Sequence, residues 1–448
     1  MDGMIVFTQA DGKLQNINFI TDDSGRFIIK SRIVALYPGK KSETLKVLTE
    51  GFHSARSPQV SFDGNHLLFT AQQKQNEPWQ IWEMDLRNSE IRQVTSSLEN
   101  CIDPAYLPGE RLIFSKLIIN DTLKTGHALF TCNSDGTDIR QVTFNPHAYY
   151  VSTVLKDGRV LTISRQLYPE KRDPVFMVLR PDGTKAELFY RGSEGSELSG
   201  RGLEAANGKI VFIESGKDNQ EGGNVVSINY SRPLHSRVNL TSEIKGNFLT
   251  VFPLQSGRLL VTYRKSEADR CALYEFDPEN MTLGQAIYEN KDFDILEAVA
   301  VEIHERPKKL PSEVDMGVKT GLLLCQDINF VGMKSSVSTS GLPKAYKIKV
   351  TGRDSTLGVV QVEEDGSFYL KIIADTPFRI TTTDEQDRVV NGPGGWIWLR
   401  PNERRGCIGC HEDHELVPEN KVPLSVKNPP VNIPVHISKV VEKKVSLE

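Results

Sequence analysis

Two stretches of the sequence align strand for strand. The first, SPQVSFDGNHLLFTAQQKQNEPWQIWEMDLRNSEIRQVTSS, begins at Ser57; the second, DPAYLPGERLIFSKL followed by HALFTCNSDGTDIRQVTFN, begins at Asp103. Each opens on a short apolar run and turns at Asp63-Gly64 or Pro108-Gly109. A second strand follows, over 66–71 or 111–116, then a third that alternates with period two and a last one ending in IRQVT. Four short strands recurring about every 45 residues are the pattern of a propeller blade.

The same frame recurs with more drift through YYVSTVLKDGRVLTISRQ, GLEAANGKIVFIES and FLTVFPLQSGRLLVTYRK, each followed by its own alternating run. The N-terminal unit, MIVFTQ, RIVALYPG and TLKVLTE, lacks an opening strand, and DFDILEAVAVEI at 292–303 has the pattern of one. Pairing a late strand with an incomplete first blade removes the open edges of a ring. The expectation is a six-bladed β-propeller over 1–305, its first blade closed by 292–303. The DGT turns of CNSDGTDIRQVT and RPDGTKAELF resemble those of TolB-like propellers. Trp79 and Trp82 are expected to share one strand face and to pack between blades. The scattered histidines His53, His66, His127, His147 and His235 read as solvated or hydrogen-bonded, with His53 and His147 placed to line the ring's channel.

The Pro- and Lys-rich HERPKKLPSEVDMG breaks the period and reads as a linker over 306–318. Strands of five to seven residues joined by Asp-Gly and Asp-Glu turns follow, which suits a small Ig-like β-sandwich over 319–448. The fold class is therefore mainly β. Near the end of this domain stands RRGCIGCHEDHE, in which Cys407, Cys410 and His411 form a CxxCH. With 6 Cys and 9 His in the chain, the motif is expected by accident on the order of 0.002 times. A c-type haem uses the two thiols for thioether bonds and the histidine as an axial ligand. The alternative is zinc, which needs a fourth ligand; His414 is the one at hand. His414, His436, Met316 and Met333 are the candidates for a sixth iron ligand. His414, three residues after His411, shares that residue's face on a helical turn and is poorly placed for the opposite side of a porphyrin. Arg404 and Arg405 are candidates to pair with haem propionates, the alternative being a solvated pair. Trp396 and Trp398, at period two, are candidates for the core or for the haem wall.

A net charge of −4 with no basic stripe argues against nucleic-acid binding, and no apolar run approaches the length of a membrane span. Cys101, Cys132, Cys271 and Cys325 stand singly, as small buried hydrophobes do, and no disulfide connectivity among them can be read. The first residues lack the basic and apolar regions of a secretory leader. Because haem is attached covalently outside the cytoplasm, the N-terminus is read as that of a processed or recombinant mature chain.

The stretches EEDGSFYL, ADTPFRI, GWIWLRPNERRGCIGCHE and VPENKVPL, following a six-bladed propeller, resemble the hydrazine synthase alpha-subunit-like proteins. The resemblance implies a periplasmic or otherwise exported protein with one covalent haem c, Cys407 and Cys410 as its thioether residues and His411 on the iron. It further implies redox chemistry or electron transfer, with a redox partner protein or other subunits and a small-molecule ligand at the haem. The alternative function is a propeller that binds or scaffolds, with a haem or zinc site in a structural or sensory role.

Overall fold

The computed structural model describes residues 3–12, 30–37, 45–119, 125–217, 222–330, 343–409 and 420–434. It falls into two compact units, one of Met1–Val142, His147–Pro181 and Ala186–Leu310, the other of Thr143–Pro146, Asp182–Lys185 and Pro311–Glu448.

The first unit is a six-bladed β-propeller. Six antiparallel sheets follow one another along the chain, the second being Ser54–Val60, His66–Gln72, Gln80–Asp85 and Ile91–Gln93. The first combines Met4–Asp11, Ser31–Leu36 and Leu45–Val47 with the late strand Phe293–Val301, which pairs antiparallel along the whole of Met4–Asp11. Each blade is sandwiched between its neighbours, so its inner strands are apolar on both faces. In the second blade, Leu67 and Phe69 pack with Val6, Ile33 and Ala35 of the first, while Leu68 packs with Leu112 and Phe114 of the third. Successive side chains of a strand point to opposite faces, which assigns these residues to two different interfaces.

The same rule corrects one sequence expectation. Trp79 and Trp82 are an odd number of residues apart and lie on opposite faces: Trp82 meets Phe52 edge-on at 4.9 Å, and Trp79 is buried in a separate cluster with Ile102 and Tyr150. Both pack between blades, but between different pairs.

The innermost strands carry a recurring bulge. The register slips between Arg56 and Gln59, Ile102 and Ala105, and Tyr150 and Thr153. At these places Ser57, Asp103 and Val151 have φ of 56°, 53° and 48°, and Glu297 on the closing strand has φ of 48°. A bulge kinks the strand and re-aims a side chain, here towards the ring's axis. There the Glu297 carboxylate accepts hydrogen bonds from the Thr8 hydroxyl at 2.9 Å, the Ser57 amide at 2.8 Å and the Ser57 hydroxyl at 3.0 Å. Asp103 likewise accepts from the Val151 amide at 3.0 Å. The bulged residues thus stitch the first blade to the second and the third to the fourth. A cavity of about 70 Å³ remains at the axis, bounded by Ser57, Val151, Arg201, Leu249 and Glu297, with room for no more than a few waters.

Neither His53 nor His147 lines that cavity. His147 opens its strand, pairs through Nδ1 with the Ser164 hydroxyl at 2.8 Å and stacks on Tyr149. The residue keeps some surface, but its Nε2 is buried without a hydrogen-bond partner. Burial, assisted by the Arg172 charge, pushes the imidazole down to about 3. Above the ordinary value of ~6.5 the ring is neutral in both folded and unfolded chains; as the pH falls towards 3 only the unfolded chain gains the proton, and stability is lost. Between pH 6.5 and 4.5 this group should cost up to about 2.7 kcal/mol. Thermal unfolding followed against pH should show that slope in the wild type and a flatter one in His147→Gln.

The second unit holds two four-stranded sheets. One runs Arg404–Cys407, Thr320–Cys325, Phe368–Ile373, Val431–Ile433; the other runs Thr356–Gln361, Lys347–Thr351, Arg379–Thr383, Val389–Asn391. Leu323, Cys325 and Leu370 of the first share a core with Ile348, Val350 and Val360 of the second, as in a sandwich. Both outer strands of the first sheet pair parallel to their neighbours. Among the described residues Cys101, Cys132, Cys271, Cys325 and Cys407 are all outside any disulfide, the first four buried and Cys407 half-buried. Burial pushes the thiols of Cys101 up to about 11 and Cys132 up to about 12, so they remain protonated.

Candidate functional site

The first half of the CxxCH is built onto the edge of a sheet. Arg404–Cys407 pairs parallel to Thr320–Cys325, with Leu322 opposite Arg404, Leu323 opposite Arg405 and Cys325 opposite Cys407. The attachment extends past the strands: the Gln326 amide donates to the Cys407 carbonyl at 3.0 Å and the Asp327 amide to the Ile408 carbonyl at 3.2 Å. Gly409 then passes so close to Phe330 that a Cβ at 409 would stand 2.1 Å from the Phe330 carbonyl oxygen. The backbone is therefore fixed from residue 404 to residue 409. Cys410, His411 and His414 lie outside the described residues, as do Met333 and His436.

Strand alternation sorts the side chains around Cys407. Arg405 and Cys407 fall on the face shared with Leu323 and Cys325, and Cys407 is half-buried against the sandwich core. Arg405 donates from Nε and Nη2 to the fully buried Glu403 carboxylate at 2.9 and 2.8 Å. The same carboxylate accepts the Arg400 amide at 2.7 Å. Arg405 is thereby held as the partner of a buried acid, whereas Arg404 is exposed on the opposite face. Trp396 is buried with Arg379 over its ring at 5.5 Å, and it is Ile397 and Leu399 that share the apolar cluster with Cys407. Met316 is exposed and precedes the start of Thr320–Cys325, whose far end meets Cys407; the strand between them spans about 16 Å.

The chain re-enters the described structure beside the same spot. Lys421 pairs with Asp327 at 3.7 Å and donates to the Asp365 carbonyl at 3.3 Å. The Leu424 amide donates to the Asp365 carboxylate at 2.9 Å, and the Ser425 amide to the Ser367 hydroxyl at 3.0 Å. Burial would raise the Asp365 pKa, but the Ser367 and Leu424 hydrogen bonds, with Lys421 nearby, hold it below the usual carboxylate range. This clasp persists across ordinary pH and weakens only in stronger acid. Asn329 exchanges hydrogen bonds with Ala345, at 2.8 and 3.2 Å. Residues 327–330 are thus the post to which three separate stretches of chain are tied. Sequence reasoning passed over Asp327, Phe330 and Gly409, and took Cys325 for a lone hydrophobe. The Asp327-x-Asn329 spacing, which closes a turn through the Asn329 amide at 2.8 Å, was the available signal. Among the described residues, no group of three or more His, Cys, Asp or Glu side chains is placed to hold a metal ion. No helix there is long and apolar enough to cross a membrane.

The hydrazine synthase alpha subunit middle domain profile matches residues 294–412, a span that takes in Cys407, Cys410 and His411. Over that span the chain is similar to the hydrazine synthase alpha subunit middle domain. A curated relative, hydrazine synthase subunit alpha of Kuenenia stuttgartiensis, is 22% identical over 508 residues, covering 85% of this chain and 62% of its own length. The chain therefore spans less than two thirds of that relative. The solved hydrazine synthase of the same organism superposes with a TM-score of 0.82 at 19% identity, over 96% of this chain and 72% of the other. At that identity it establishes the shared fold. TolB from Acinetobacter baumannii matches 68% of this chain and 67% of its own at 13% identity, with a TM-score of 0.47.

Proposed function

We propose that this hydrazine synthase alpha-like chain carries one covalent haem c on Cys407, Cys410 and His411, and works in redox chemistry outside the cytoplasm together with other subunits. The observation that carries the reading is the anchoring of Cys407, whose half-buried thiol ends an edge strand while backbone bonds from Gln326 and Asp327 fix the chain up to Ile408. Cys407 fits the group. A thioether cysteine must be held yet reachable from outside the core, and the edge strand provides both. When bound, haem iron exchanges single electrons and, with an open position, takes a small ligand.

The protein's share is positional. The sheet edge sets where the first thiol stands, Gly409 lets the chain turn past Phe330 towards Cys410, and the Asp365 clasp returns the chain to the same post. Arg404 is the arginine of the pair left exposed to meet a propionate; Arg405 is committed to Glu403. The relative's name as a subunit supports partner polypeptides, and we propose an iron open to a small ligand.

Protein matured with a cytochrome c assembly system should carry one haem per chain, resistant to acid–acetone extraction and absent from Cys407→Ala/Cys410→Ala. The reduced form should change its visible spectrum with carbon monoxide. Stoichiometric zinc without haem would overturn the assignment; a low-spin spectrum indifferent to carbon monoxide would make the protein an electron carrier.

A further inference from the structure

Cys325 has no role in the site proposed above, yet it is the residue directly opposite Cys407. The two are register partners on adjacent parallel strands, Cys325 at 1% exposure and Cys407 half-buried, both packed in the same apolar cluster. Neighbouring strands lie about 4.7–4.9 Å apart, and side chains of paired residues stand on the same face. Disulfide-linked cysteines have Cα atoms roughly 4.4–6.8 Å apart and Cβ atoms about 3.5–4.5 Å apart. The Cα spacing of a parallel pair falls within the first range; the Cβ atoms need a small closing movement. Among the described residues Arg404–Cys407 is the outermost strand of its sheet. Beyond the pair, the Gln326 amide bond to the Cys407 carbonyl holds the register that keeps the two thiols side by side.

We infer that in the apoprotein Cys325 and Cys407 form a disulfide, which withholds Cys407 from haem attachment until it is reduced. Cys407 is the partner that solvent reaches, so its thiolate attacks a disulfide oxidant, such as glutathione disulfide or an oxidoreductase of the exported compartment. A mixed disulfide forms at Cys407 and one oxidant thiolate leaves. Cys325 then attacks the Cys407 sulfur and expels the second. The new S–S bond replaces two S–H bonds, and the two protons end on the two leaving thiolates, so the oxidant is reduced to two thiols. A bond drawn across a parallel pair departs from the relaxed geometry, and strained disulfides are the readily reduced ones. It protects a nucleophilic thiol without locking it away. The bond itself depends only on the register; its effect on haem loading rests on the function proposed above.

The test uses the full chain, exported without a cytochrome c assembly system, equilibrated with glutathione disulfide, alkylated and digested for mass spectrometry. The expected result is a linked peptide pair joining Cys325 to Cys407, with Cys410 alkylated. A Cys407–Cys410 bond instead, or quantitative alkylation of Cys325, overturns the inference and leaves the haem assignment standing. With the assembly system present but reductant limiting, Cys325→Ser should raise haem occupancy at least threefold over wild type and lose that advantage when a dithiol reductant is added. Cys325→Ala provides the same comparison without a hydroxyl in the core, and the peptide mapping needs no variant. Equal occupancy in wild type and both variants under limiting reductant overturns the withholding role. A Cys325–Cys407 bond in a chain that never takes haem sinks the haem assignment and not the bond.

Discussion

A chain cut after residue 291 is expected to lose its folded ring, whereas one cut after residue 310 should keep it. The shorter fragment lacks Phe293–Val301, and with it the buried Ile295, Leu296, Val299 and Val301. At about 1.5–3 kcal/mol for each large apolar side chain, that is about 6–12 kcal/mol, the size of a whole domain's stability. It also removes Glu297, leaving Thr8 and the amide and hydroxyl of Ser57 without their shared acceptor, and strips one edge of Met4–Asp11 of its partner. The longer fragment keeps all of these and the crossing stretch beyond them, where the His304 amide reaches the Phe62 carbonyl at 3.1 Å and the Lys308 amide the Lys156 carbonyl at 3.1 Å. Size-exclusion chromatography and circular dichroism of the two fragments decide the matter. A monomeric, cooperatively melting 1–291 would mean that the first blade is complete without its late strand.

The second large effect is expected from a single methyl group. Gly409→Ala places a Cβ 2.1 Å from the Phe330 carbonyl oxygen, a backbone atom that cannot swing aside as a flexible side chain would. Either the loop at Phe330 or the start of the haem motif must move, and both are tied to Asp327. Covalent haem loading should fall at least tenfold, equivalent to ~1.4 kcal/mol or more, while the melting of the propeller stays within a degree or so of wild type. Wild-type loading in Gly409→Ala would show that this close approach has no part in presenting Cys410.

How much of this the sequence discloses depends on whether the determining contacts are local. Propeller blades are made of neighbouring strands, so the period and the Asp-Gly turns reveal the ring and the strand that closes it. The same locality places Trp79 and Trp82 correctly between blades once strand parity is counted. The bulges are invisible in advance, because Ser57, Asp103, Val151 and Glu297 share a backbone conformation and no residue type. The sandwich is legible as alternating strands, but the strand carrying Cys407 finds its partner 82 residues away and pairs with it in parallel. Parallel pairing between distant strands leaves no turn signature, so Cys325 is indistinguishable from the lone buried cysteines until the register is known. The haem motif reads at once from its spacing, while its anchorage through Gln326, Asp327 and Phe330 is made by backbone atoms, whose bonds composition does not record.

The closing strand of the first blade has a consequence in time. Met4–Asp11 leaves the ribosome well ahead of the strand that covers its edge, which begins 289 residues later, at Phe293. At common elongation rates of 5–20 residues per second, that edge waits on the order of 15–60 s for its partner. For this interval the nascent chain holds a long apolar strand with one unpaired side, and whatever attends its biogenesis must keep that side from other chains until residue 301 has arrived.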